Sequence, residues 1–128
     1  MDSSCTRTYA AKDWAGNWRS LAVLWGLPAA AMLGALLLGP VPRAIIWAAA
    51  LIWMGGACLV NARRCRRTHC RFTGPFYVLM AALVIAYAAG LVPIGDRGWA
   101  ILGAMVIIGT AVLWWASERI WGLFWPRS

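Results

Sequence analysis

Charge is what this sequence has least of. Charged side chains make up 12% of its 128 residues, and only four of those are acidic. A soluble domain carries at least twice that share. The apolar side does not compensate as a soluble core would: 62% of the residues are hydrophobic, more than a domain this small can bury. Familiar catalytic sets are missing too. The apolar stretches contain no Ser-His-acid set, no paired carboxylates and no HExxH, and the chain has no phosphate-binding loop. These gaps exclude the common hydrolase, metalloprotease and nucleotide-binding chemistries, and a non-enzymatic role is expected.

What is present is apolar sequence in unbroken blocks. A spanning helix needs about 20 mostly apolar residues, and four blocks qualify, at 20–39, 41–61, 74–92 and 98–117. Their connections are short, which places successive helices antiparallel. The expected fold is all-α: a single transmembrane domain over 1–128, built as an up-down-up-down four-helix bundle. The first block is expected to remain as a helix. About 19 residues precede it, and "LGPVPRA" offers no small-residue cleavage site. Pro28 is expected to kink it, and stripes at Gly26, Ala30, Gly34 and at Ala82, Ala86, Gly90 are expected to be helix contact faces.

Positive charge sets orientation. Ten of the twelve Lys and Arg residues fall at the N-terminus, between the second and third blocks, or after the fourth, while Arg43 and Arg97 alone lie on the other side. Both termini are therefore expected in the cytoplasm. The net charge of +8 reads as topology and contact with anionic lipid, not nucleic-acid binding. Many of the ten tryptophans fall near expected interfaces, where indoles concentrate.

The segment "NARRCRRTHCRFTGPF", residues 61–76, carries five arginines, two cysteines and a histidine. Cys58, Asn61 and Cys65 follow helical spacing. His69 adds one more step of four, and Cys70 comes next. On a second helix extended beyond the membrane these side chains would share one face. Thiolates and imidazole suit soft ions, so Cys58, Cys65, His69 and Cys70 are the candidate metal ligands, for Hg, Cu or Zn. Nearby arginines, and a third helix capped by Thr73 with Pro75 in its first turn, would make Cys70 the most nucleophilic thiol. Cys5 is a marginal further candidate. Asp13 and Asp96 read as cap and turn residues, and Glu118 as a partner for neighbouring arginines.

Four short-looped spans with a Cys65–Cys70 segment on the cytoplasmic side resemble the small inner-membrane mercury-uptake proteins of bacterial mercury-resistance systems. Those carry a cysteine pair in the first span, whereas residues 20–39 here have none, leaving Cys58 as the intramembrane thiol. The resemblance implies a multi-pass protein of the bacterial inner membrane that passes mercury or an organomercurial to a cytoplasmic acceptor or reductase. Two other roles remain open on the residues alone: an accessory or scaffold subunit bound to another membrane protein, and a thiol enzyme using Cys70. Homo-oligomerisation is also left open.

Overall fold

A computed structural model describes Thr8 and residues 10–124. Cys5 lies outside the described residues, as do Arg7, Trp125 and Arg127. The fold is helical, with no strand among the described residues beyond an isolated bridge between Arg67 and Phe124. The helices are α1 (Trp18–Leu21), α2 (Leu27–Ala35), α3 (Pro40–Cys65), α4 (Thr68–Ala88) and α5 (Gly98–Trp121), with a π-helical turn, Ala22–Gly26, joining α1 to α2.

Three helices, α3, α4 and α5, are long and apolar enough to cross a membrane. The first apolar block is helical as well, but in pieces. Asn17 caps it through its side chain, which accepts from the Arg19 amide. Pro28 then supplies no N–H, and its ring crowds the carbonyl four residues back. The chain responds with the wider turn immediately upstream, not with a simple kink. At the far end, Arg43 donates to the carbonyls of Ala35, Leu36 and Leu38. These carbonyls, at or just past the end of α2, have no acceptor role within the helix.

The second and third helices differ most from expectation. α3 runs to Cys65 instead of ending at 61, and α4 begins at Thr68 instead of 74. Only Arg66 and Arg67 connect them. Arg66 adopts the left-handed conformation, φ 57° and ψ 29°, and its amide donates to Ala62, so the reversal is made in two residues. Thr73 is not a cap but a buried residue in the second turn of α4, donating to the His69 carbonyl at 2.9 Å. Pro75 sits inside the helix.

α3 is the centre of the molecule: 56% of its membrane-length window is buried, against 17% for α5. Its main partner is α4, which in turn packs on α5, while α2 lies against α3. Leu51, Met54, Met80, Val84 and Leu102 form the core between them. Outward faces carry Ile107, Ile108, Val112 and Trp115 on α5 and Leu33 and Leu37 near α2, the surface expected where hydrocarbon is the solvent. Of the anticipated small-residue stripes, Ala86 is half-buried and the other five residues are exposed, with no packing partner within 4 Å of Gly34 or Gly90.

Close packing occurs elsewhere. A Cβ on Gly55 would stand 3.0 Å from the Gly74 carbonyl oxygen, and one on Gly74 would stand 2.8 Å from Leu59. Missing side chains at these two positions let the backbones of α3 and α4 approach closely. That contact positions the polar site described next.

Candidate functional site

Cys58 lies one turn beyond Gly55, and Cys70 one turn before Gly74, on helices that run antiparallel. The glycine contact therefore sets the two cysteines opposite each other: Cys58 Sγ lies 3.5 Å from Thr73 on the helix of Cys70, and Cys70 Sγ lies 3.4 Å from Asn61 on the helix of Cys58. Both are almost fully buried, at 1% and 0% exposure. Trp25 Nε1 donates to Cys58 Sγ at 3.3 Å, and Thr73 Oγ1, whose hydrogen goes to the His69 carbonyl, lies 3.5 Å from the same sulfur. Asn61 Nδ2 donates to Cys70 Sγ at 3.4 Å. Three polar groups thus converge on two sulfur atoms, in a place where polar groups need partners.

The sequence neighbour of Cys70 completes the arrangement. His69 Nε2 is 3.3 Å from Cys70 Sγ, and His69 Nδ1 is 2.8 Å from Glu118 Oε1. An ionised carboxylate can only accept, so Nδ1 carries the hydrogen and the neutral ring turns the Nε2 lone pair toward the thiol. Trp114 stacks on the imidazole, with centroids 4.0 Å apart and planes 7° from parallel. The result is a thiol, a base and a carboxylate that orients the base, in hydrogen-bonding sequence.

Glu118 also ties this set to a second cluster. Its Oε1 accepts from Arg67 Nε at 2.9 Å, and Arg67 Nη1 donates to Asp13 Oδ2. Asp13 is buried in the segment ahead of α1 and accepts further from Ala15 N and from Asn61 Nδ2. Burial alone would push its carboxyl up. The Asn61 hydrogen bond, the Arg67 charge and the Ala15 amide outweigh that and hold it below its usual value of 3.8. Asn61 spends its whole amide here: Oδ1 accepts from Trp14 N and lies 3.3 Å from Cys65 Sγ, and Nδ2 serves Asp13 and Cys70. With Asp13 and Glu118 ionised and Arg67 positive, the cluster is one positive charge short of neutrality. A proton passed from Cys70 to the neutral His69 ring would be balanced by that net negative charge.

The four expected ligands are thus divided. Cys58, Cys70 and His69 come together. Cys65 shares the α3 face with Asn61 as anticipated but turns away, donating to the Asn61 carbonyl at 3.0 Å and lying 3.5 Å from Asp13 Oδ1. His69 is not a further step along α3; it belongs to the first turn of α4. All three described thiols are buried, Cys65 and Cys70 no less than Cys58. Among the described residues, no three or more His, Cys, Asp and Glu side chains are grouped to hold a metal ion.

Asp13, Arg67, Trp25 and Trp114 were not legible as parts of this site. Asp13 reads locally as a cap, and Arg67 as one of five similar arginines. Glu118 does pair with an arginine, as expected, but its partner is 51 residues away, and its bond to His69 had no local signal.

Glu118→Gln tests the orienting role. An amide can accept from Nδ1 but does not balance an imidazolium, so any reaction that moves the Cys70 proton onto His69 should slow. Losses of about 10–100-fold are typical when a carboxylate behind a histidine is removed. Alkylation of Cys70 in detergent-solubilised protein, followed against pH, measures it; an unchanged profile would show that Glu118 only braces Arg67.

No family model, curated protein or solved structure matches this chain.

Proposed function

We propose that this chain is a membrane carrier for a thiophilic ion, held between Cys58 and Cys70 as a two-coordinate dithiolate. The observation behind this is the opposed, buried thiol pair with His69 Nε2 3.3 Å from one sulfur. Soft ions select thiolate. Hg(II) and Cu(I) accept two thiolates in a line, whereas Zn(II) in a closed protein site takes four ligands in a tetrahedron. Two thiols therefore favour mercury, or copper, over zinc. Binding releases the thiol protons, and His69 takes the one from Cys70 while Glu118 balances the resulting imidazolium.

In this reading the helical segment 18–35 joins α3, α4 and α5 as a fourth crossing. The arginine-rich ends and both termini face the cytoplasm of a bacterial inner membrane, following the ten-to-two distribution of positive charge. Cys65 lies beside the pair, linked to Cys70 only through Asn61, and is not a ligand.

Titration of purified protein with Hg(II), in a Cys5→Ser background, tests the assignment. The parent and Cys65→Ser are expected to bind one ion per chain, competing with excess monothiol. Cys58→Ser and Cys70→Ser should each weaken binding by roughly 100-fold or more, since a single thiolate gives up the chelate. Cells expressing Cys58→Ser/Cys70→Ser should accumulate no more mercury than cells without the protein. Uptake by that variant equal to the parent's would refute the carrier reading.

A further inference from the structure

We infer that Cys58 and Cys70 form a reversible dithiol–disulfide couple that exchanges with small anionic disulfides, with Cys70 as the attacking thiol. This rests on the geometry of the pair and does not depend on metal transport.

The two thiols differ in what surrounds them. Cys70 has a base at 3.3 Å, oriented by a carboxylate at 2.8 Å. Cys58 receives the Trp25 donor, lies beside the Thr73 hydroxyl, and faces no histidine or carboxylate among the hydrogen bonds of the site. The attacking and resolving roles are thereby separated. Disulfide formation also demands that two backbones lie near one another, and the Gly55–Gly74 contact meets that demand one turn away. Cys65 lacks both features: it stays on α3 with Cys58 and bonds to Asn61 and Asp13.

The reaction balances without a cofactor. His69 Nε2 takes the Cys70 proton, and the Cys70 sulfur attacks one sulfur of a substrate disulfide, RSSR. The substrate S–S bond breaks, and the leaving RS⁻ recovers the proton from His69. The Cys58 sulfur then attacks the Cys70 sulfur of the mixed disulfide, the Cys70–SR bond breaks, and the Cys58 proton passes to the leaving RS⁻, releasing a second RSH. The protein is oxidised by two electrons and the substrate is reduced by the same two.

Charge indicates the substrate class. Arg63, Arg64 and Arg71 are exposed at this end of the α3–α4 hairpin, and no acidic residue lies between positions 14 and 95. A carboxylate-bearing disulfide is attracted there, with a dependence on ionic strength. Asn61 bridges Cys70 to Asp13 and to the Trp14 amide, in a segment that becomes exposed at Gly16 and Asn17.

The test uses the full chain in detergent, in a Cys5→Ser background, with oxidised glutathione and a metal chelator present. Intact and peptide mass spectrometry should show loss of two hydrogens and a Cys58–Cys70 link. Cys58→Ser should instead accumulate a glutathione adduct on Cys70. Cys70→Ser should give neither, and Cys65→Ser should match the parent. His69→Ala should slow the exchange by about 100-fold, the usual scale for a lost general base. Oxidised glutathione should react faster than neutral hydroxyethyl disulfide, with the difference erased by high salt. A link to Cys65, or no adduct in a folded Cys58→Ser protein, overturns the couple; equal rates with the neutral disulfide overturn the substrate class. Failure to bind Hg(II) would leave these results unchanged, so the two readings fail separately.

Discussion

Arg67→Ala is expected to be the most destabilising single substitution outside the apolar core, costing about 3–5 kcal/mol. The guanidinium, 11% exposed, is held between Asp13 at 1% and Glu118 at 19%. Removing it leaves the Asp13 carboxylate buried with only neutral donors, and it frees Glu118 from one of its two partners. Most surface ion pairs contribute little because water already solvates both members; this one differs because neither end can recover that solvation without opening the site. Thermal unfolding in detergent should show the loss, while Arg63→Ala, on the exposed face, should leave the midpoint nearly unchanged. The acid side carries the same signature. The Asp13 carboxyl is held below its ordinary value in the folded chain, so its contribution is complete above the unfolded value and is lost as pH falls through the folded one. Wild type should therefore lose stability below about pH 4 more steeply than Asp13→Asn. Equal behaviour of Arg67→Ala and Arg63→Ala would mean that the pair is solvated after all.

Gly55→Val should separate the thiols without touching either of them. The first added carbon already meets the Gly74 carbonyl at 3.0 Å and Tyr77 Cβ at 3.2 Å, and backbone cannot move aside as a flexible side-chain tip can. The helices must part, at about 1–3 kcal/mol for overpacking of this kind. Folding should survive, but chelation should not: Hg(II) affinity and formation of the Cys58–Cys70 link should fall together toward the level of the single-cysteine variants. Gly34→Val is the matched control, because nothing packs within 4 Å of that position. Retention of tight binding in a folded Gly55→Val protein would show that the glycine contact is not what opposes the cysteines.

The apolar helices were legible because the bilayer imposes a length and a composition that no other environment demands. The ends of those helices were less so. Residues 62–73 combine arginines, polar residues and cysteines in a way that reads as a loop, yet Cys65 closes α3 and Thr68 opens α4. Charged side chains at a membrane surface leave the backbone free to stay helical, so polarity marks the water boundary and not the end of the helix. The helical spacing of Cys58, Asn61 and Cys65 held, since it lies within one element. His69 was misplaced by the same logic, because the two-residue turn falls between 65 and 69. Asp13 and Glu118 depend on contacts across roughly fifty residues, for which periodicity and local propensity carry no signal.

The two-residue connection at Arg66–Arg67 also orders assembly in time. Contacts within the α3–α4 hairpin are close in sequence, and such contacts form fastest. The thiol pair and the glycine contact belong to that hairpin, so the chemistry-bearing part is in place before its electrostatic surroundings. Asp13 joins from the segment before α1, and Glu118 only when the last turns of α5 have been synthesised and packed. Until then Arg67 has Asp13 alone to pair with, and His69 lacks its carboxylate. Packing of the last turns of α5 then closes the network, because Glu118 alone joins Arg67 to His69.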